Sequence, residues 1–243
     1  MTESCLPLSG MSGVINDYSL RGMGKNKLQR YSENRGFDNV FEHTDFGELN
    51  PAPKGDWASK IFGNNNPVVV ELACGKGEYT TALAQKHPDV NFIGIDIKGD
   101  RIWKGAIRAQ DEGLENVRFL RCFIDHLQDF FSKEEISEIW ITFPDPYLKK
   151  SNSKKRLTSP KFLDIYRKVA APDAVVHLKT DSVPLFRFTN DVIEEQDLPV
   201  IEKINDVYSA SDVKDELQIK TYYEKKHLER GRTIQYVQFS LNP

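Results

Sequence analysis

The sequence predicts an α/β fold: a mostly parallel, seven-stranded sheet with an antiparallel final strand and helices on both faces. Three observations carry that prediction. Short apolar runs alternate with amphipathic stretches five times between residues 67 and 196, the pattern that builds a parallel sheet covered on both sides. Two more strand-like runs, 199–208 and 233–240, follow without a crossover helix pattern just before the last, so an antiparallel closing pair is expected. A Gly-x-Gly turn enters a helix after the first run, and an acid ends the second. An open α/β sheet binds its ligands at these strand ends.

The elements follow in order. Residues 1–50 are polar and weakly periodic. They read as an N-terminal arm, partly disordered, with little strand or helix of its own; residues 1–22 read as a dispensable extension. Residues 51–66 are rich in turn formers and mark the boundary, which places the globular domain over 51–243. PVVVELA (67–73) is a buried strand, EYTTALAQKH (78–87) a helix and NFIGIDI (91–97) the next strand. GDRIWKGAIRAQDEG (99–113) is a helix that Gly113 stops. VRFLRC (117–122) is a strand, IDHLQDFF (124–131) a helix and EIWITF (138–143) a strand. SPKFLDIYRKVA (159–170) is a helix with Ser159 as N-cap and Pro160 at its first position. AVVHLKT (174–180) is the fifth strand, and SVPLFRFTNDVIEEQ (182–196) is mostly helix.

Composition narrows the function classes. The 243 residues are 39% hydrophobic and 28% charged, which excludes collagen-like, mostly disordered and disulfide-scaffold chains. Cys5, Cys74 and Cys122 are scattered without metal-ligand spacing, so reduced thiols and no metal are expected. No apolar run approaches a membrane span, and the N-terminus lacks the order of a signal peptide. A cytoplasmic protein with no membrane partner is expected. The net charge is −3, but it is unevenly spread. Windows 18–35, 149–156 and 220–232 hold fifteen basic and three acidic residues; the rest of the chain holds eighteen and thirty-three. An acidic body with basic patches is one way to bind a polyanion at an ordinary isoelectric point.

The residues after each strand carry the chemistry. Gly75 and Gly77 let the backbone approach a ligand closely. Asp96, nineteen residues beyond Gly77, suits hydrogen bonds from ribose hydroxyls. Thr80 stands where a dinucleotide fingerprint wants a third glycine, which disfavours a nicotinamide-dependent dehydrogenase. The strongest signal is Phe143-Pro144-Asp145-Pro146-Tyr147-Leu148-Lys149-Lys150, followed by Lys154-Lys155-Arg156-Leu157. Two prolines bracket one aspartate after a buried strand, so Asp145 is expected in a stiff turn beside a basic loop.

Together these segments resemble one family, the tRNA (guanine-N7)-methyltransferases of the bacterial TrmB type. The resemblance rests on ELACGKGEY, NFIGIDI, ENVRFL, ITFPDPYLKK with KKRL, LKTD and KTYYEKKHLERGRTI, spanning about 71–234. It implies a class I S-adenosylmethionine-dependent, Rossmann-like fold. It also implies methyl transfer to N7 of the variable-loop guanosine, tRNA position 46, leaving S-adenosylhomocysteine. The implied partner is tRNA, the protein being a monomer or a homodimer with no obligatory protein partner. By the same resemblance Glu71, Gly75, Gly77 and Asp96 hold the cofactor, Asp145 is the active-site aspartate beside it, and Lys149, Asp181 and Thr221 to Glu224 meet the substrate. Tyr147 replaces the family's usual Trp, and Ser151-Asn152-Ser153 replaces a stretch that usually includes His. The cofactor position after the third strand, often Asp or Asn, falls on Phe123, with Asp125 two residues on.

The chemistry asks for alignment rather than a strong base, because guanine N7 already carries a free lone pair. Asp145 is therefore expected to orient the base and follow the developing charge. Two other classes fit less well. Methyltransferases acting on exocyclic amines carry (D/N)PPY after the fourth strand, and Asp145-Pro146-Tyr147 is one proline short. A non-catalytic RNA-binding protein would not need Gly75, Gly77 and Asp96 intact.

Overall fold

The computed structural model describes residues 26–42 and 54–242. The expectations for residues 1–22 lie outside the described residues. The sheet has eight strands: β1 (Val40–Glu42), β2 (Val68–Leu72), β3 (Asn91–Asp96), β4 (Val117–Arg121), β5 (Ile136–Thr142), β6 (Ala170–Thr180), β7 (Val200–Ile204) and β8 (Gln235–Ser240). Their order across the sheet is β1-β4-β3-β2-β5-β6-β8-β7. The first six strands in that order are parallel to their neighbours, and β8 runs antiparallel to both β6 and β7. The expected antiparallel final strand is present. It lies inside the sheet, between β6 and β7.

The eighth strand is β1, which the sequence reading left within a loose arm. At three residues it is too short to show alternation. It pairs with β4 through Val40↔Phe119 and Phe41↔Leu120. Helix α1 (Lys27–Asn34) precedes it and also departs from that reading. Its start is a reciprocal cap: Asn26 Oδ1 accepts from the Gln29 N–H and Gln29 Oε1 from the Asn26 N–H, both at 2.9 Å. The helix docks on α3 (Gly99–Asp111) through polar contacts. Asn34 is buried and donates to the Gly99 carbonyl at 2.8 Å, and Trp103 donates to Glu33 at 2.7 Å. A polar docking face carries no apolar stripe, which is why periodicity missed it.

The remaining α-helices are α2 (Glu78–Lys86), α4 (Leu127–Phe130), α5 (Pro160–Arg167), α6 (Val183–Glu195) and α7 (Tyr222–Glu229), and a π-helical turn, Trp57–Phe62, stands in the stretch read as turn-rich. The expected helix over 124–131 is a 3-10 turn followed by the single turn of α4. One core packs Trp57, Val70, Leu72, Ile93, Ile95, Ile139 and Ile141 against α5 and α6. The other packs Val69, Phe92, Phe119, Trp140 and Tyr236 against α2 and α3. Alternation along each strand sends neighbouring side chains to opposite cores. Because β2 to β6 are parallel, Leu72, Asp96, Arg121, Thr142 and Thr180 all end at one edge of the sheet.

Candidate active site

The cleft over that edge has three joined compartments. One, of about 240 Å³, is lined by Asp96, Lys98, Phe123, Asp125, Asp145 and Tyr147 among others. A second, about 80 Å³, runs over Glu71, Cys74, Gly75, Lys76 and Thr221. The third, about 690 Å³, lies between Asp145, Asp181, Tyr223 and Arg232. Asp145 faces both the first and the third, and is exposed.

The turn after β2 is built by its own hydrogen bonds. Asp96 is buried; Oδ2 accepts from the Gly75 N–H at 2.9 Å and Oδ1 from the Lys98 N–H at 2.8 Å. Gly77 has φ +62°, and a Cβ there would stand 2.5 Å from the Phe119 ring, so glycine is needed for both conformation and packing. Gly75 has φ +58°, and its missing Cβ would meet nothing within 4 Å. That open side faces the second compartment.

Glu71 lies beneath the turn. Thr142 Oγ1 donates to its Oε1 at 2.5 Å, and the Thr80 N–H donates to Oε2 at 2.9 Å, joined there by the Thr80 hydroxyl. The residue thus fastens β2 to α2 and β5. Thr80, where a dinucleotide site would have glycine, is part of this brace. Burial pushes the Glu71 carboxyl up to about 7; the threonine donors oppose the shift and Asp96 adds to it. A carboxyl raised in the folded state stabilises the protein fully below its unfolded value, and that contribution is lost as pH rises through the folded one. Melting temperature is therefore expected to fall between pH of about 4.5 and 7, and Glu71→Gln to flatten that slope. An unchanged slope in calorimetric melts of the variant would remove Glu71 as its source. Cys74 is buried, and burial holds its thiol well above the usual range, so it is a small turn residue rather than a nucleophile.

Asp145 owes its position to backbone strain as well as to proline. Ala73, Phe143 and Tyr147 have φ of 57°, 48° and 42°, a region non-glycine residues rarely adopt and which clusters at functional sites. All three line the cleft. Arg156 locks the loop from beneath. Its Nε donates to the Pro146 carbonyl at 3.1 Å, and a terminal nitrogen donates to the Tyr147 carbonyl at 3.0 Å. It is 8% exposed and its guanidinium covers the Phe188 ring at 4.3 Å. The charge run reads differently in three dimensions: Lys149, Lys150, Lys154 and Lys155 are exposed, whereas Arg156 holds the Asp145 turn.

Asp181 faces the third compartment with its charge already engaged. Arg232 lies 2.5 Å and His227 Nδ1 3.2 Å from its Oδ2. Thr221 caps α7, its Oγ1 accepting from the Glu224 N–H at 3.2 Å. Glu224 does not reach the cleft. It is fully buried; Lys179 Nζ lies 2.7 Å from its Oε1, and the Tyr208 hydroxyl donates to the same oxygen at 2.7 Å. The resemblance implied a substrate contact; the side chain instead anchors the segment that carries Thr221 and Tyr223. Phe123 is 46% exposed on the wall of the first compartment. The sequence reading did not single out Arg101, His227 or Arg232 as cleft residues, whereas Tyr223 lay inside the Thr221 to Glu224 stretch and Phe143 opened the Asp145 motif. His227 and Arg232 fall inside the basic window 220–232, the signal that pointed to them.

A glycine turn, the buried acid that braces it and an aspartate in a strained turn share one open α/β edge, where such a sheet binds its ligands, and the class of protein is a methyltransferase. The family model described as "Putative methyltransferase" matches residues 65–237. The chain belongs to the tRNA (guanine-N(7)-)-methyltransferase family. It is 46% identical over 222 residues to the member from Bacteroides thetaiotaomicron, covering 90% of this chain and 87% of that one. It is 45% identical to the member from Christiangramia forsetii, covering 89% of this chain and 98% of that one. Among solved structures the 16S rRNA methyltransferase KamB superposes with a TM-score of 0.59 at 15% identity, covering 79% of this chain and 95% of that one. At that identity the likeness is one of fold, and it supports the class I architecture.

Proposed function

We propose that this chain transfers the methyl group of S-adenosylmethionine to N7 of a tRNA guanosine, the one at position 46 in the variable loop. The observation that carries the reading is Asp145, held rigidly between a compartment sized for part of a nucleoside and a larger, open one. The names of the 45–46% identical relatives supply the substrate.

The residues present fit S-adenosylmethionine. Each oxygen of Asp96 takes one backbone N–H and keeps acceptor capacity for a ribose diol. Phe123 offers a ring face for adenine, and the open side of Gly75 admits the methionine end. S-adenosylmethionine supplies an electrophilic methyl group on a sulfonium. Asp145 accepts from the N1–H and N2 edge of the guanine, which turns N7 toward that methyl and needs no general base. As positive charge moves onto the purine, the fixed carboxylate follows it at no reorganisation cost. Tyr223, 48% exposed at the junction of two compartments, gives the base a stacking surface. Lys149, Lys150, Lys154 and Lys155 meet phosphates and supply salt-dependent affinity. A tRNA substrate fits an activity in the cytoplasm.

Nucleoside mass spectrometry of unmodified tRNA, incubated with protein and S-adenosylmethionine, tests the reading. N7-methylguanosine at position 46 is the expected product; a base methylated on an exocyclic amine, or none, overturns it. Asp96→Ala is expected to weaken S-adenosylmethionine binding by about 1–3 kcal/mol, the scale of hydrogen bonds to a charged group. Calorimetry reading no loss, with the fold intact, would take Asp96 out of the site.

A further inference from the structure

Arg101 is a charged residue of the cleft that neither the proposed chemistry nor helix stability uses. It stands in the first turn of α3, three residues after the N-cap Lys98. A cation there opposes the helix dipole, where an acid would be favoured by about 0.3–1 kcal/mol. Among the described residues its guanidinium has no carboxylate partner. Of the acids near it, Asp181 is engaged with Arg232 and His227, Asp96 with two backbone N–H groups and Glu71 with two threonines; Asp145 shares two compartments with Arg101 but forms no ion pair with it, and its carboxylate is committed to the guanine edge in the chemistry proposed above. Yet Arg101 and Phe143 are the two residues that line all three compartments. A guanidinium with no counter-charge would repel both a sulfonium and the methylated purine. Its place at the junction therefore calls for an anion that arrives with a reactant.

We propose that Arg101 binds an anionic oxygen pair carried in by a reactant, and so couples the occupied cofactor compartments to the occupied guanosine compartment. The proposal rests on the methyl-transfer reading above. Two reactant groups have this chemistry: the α-carboxylate of S-adenosylmethionine and a phosphate flanking the target guanosine. Each presents two oxygens to the planar fork of a guanidinium, a match that a lysine ammonium lacks.

Arg101→Met and Arg101→Lys in the full chain separate the sources. Calorimetry with S-adenosylhomocysteine and with 5′-methylthioadenosine, which lacks the amino-acid tail, reads the carboxylate. tRNA binding over a salt series reads the phosphate. A carboxylate contact is expected to give a loss of about tenfold or more for S-adenosylhomocysteine in Arg101→Met, none for 5′-methylthioadenosine, and an unchanged salt slope. A phosphate contact is expected to leave both small ligands alone, weaken tRNA binding about tenfold, and make the log–log salt slope shallower by roughly 0.7–0.9, one counterion. In the second case Arg101→Lys restores the slope. Unchanged affinities for all three ligands in a folded variant overturn the proposal, as does an equal loss for both small ligands, which reports a reshaped pocket. Failure of the methyl-transfer reading has a separate signature, wild-type protein that leaves no N7-methylguanosine.

Discussion

Replacing Asp145 by Asn is expected to slow single-turnover methylation by at least about 100-fold, a barrier increase of roughly 2.7 kcal/mol. tRNA affinity is expected to stay within a few fold. The amide is nearly the same size, so the strained turn and its Arg156 ties survive. The lost element is a fixed negative charge beside a purine that becomes cationic in the transition state. An interaction that strengthens along the reaction coordinate appears in rate and not in binding. Rapid-quench assays at saturating tRNA and cofactor read the first number, and filter binding the second. Full activity in the variant would remove Asp145 from the chemistry.

Lys179→Met is expected to cost about 3–5 kcal/mol of folding stability, the scale for stranding one partner of a buried ion pair. The ammonium is fully buried. It lies 2.7 Å from Glu224 Oε1 and donates to the Leu217 carbonyl at 2.8 Å and the Ile219 carbonyl at 3.0 Å. Burial pulls its pKa down while Glu224 opposes that shift, so the pair is held together against a desolvation penalty. Among the described residues Glu224 Oε2 has no hydrogen-bond partner; once Lys179 is gone, little but Tyr208 remains to hold the carboxylate. Lys179→Met with Glu224→Leu is expected to recover much of the loss, because two apolar groups leave no stranded charge. Urea titrations of the single and double variants form the cycle that checks this. The segment with Thr221 and Tyr223 is fastened here, so the single variant should also raise the KM for tRNA more than it lowers kcat.

The residue pattern made the centre of the fold legible, because strands buried on both faces and helices with one apolar side leave strong signals. β2 to β6 and the helices between them occupy the expected stretches, with α4 cut to a single turn. Asp96 and Asp145 sit at strand ends as the pattern required. The omissions share a physical cause: elements held by polar contacts leave no periodic trace. Helix α7 buries one residue, Glu224, so nothing in TYYEKKHLE repeats at helical spacing. Helix α1 could be found from its Asn26/Gln29 cap but not from its packing face. Orientation was illegible as well. Arg156 and Glu224 stand in charged stretches next to residues that face the cleft, yet both point inward. Chain order fixes the sign of a charge and leaves its direction to the surrounding packing.

The position of β8 has a consequence for when the protein becomes functional. Strand β7 pairs with β8 alone, and β8 must enter between β7 and β6, both made before it. The connection from residue 204 to residue 235 carries α7 with Tyr223 and His227, and then Arg232, which form one wall of the cleft. At a synthesis rate of about 5–20 residues per second, β8 follows β7 by roughly 2–6 s. During that interval β2 to β6 can pair, while Thr221, Tyr223, His227 and Arg232, which line the second and third compartments, await the strand that follows them. The cleft is therefore completed by the last strand to be made, which also closes both cores with Tyr236, Val237 and Phe239.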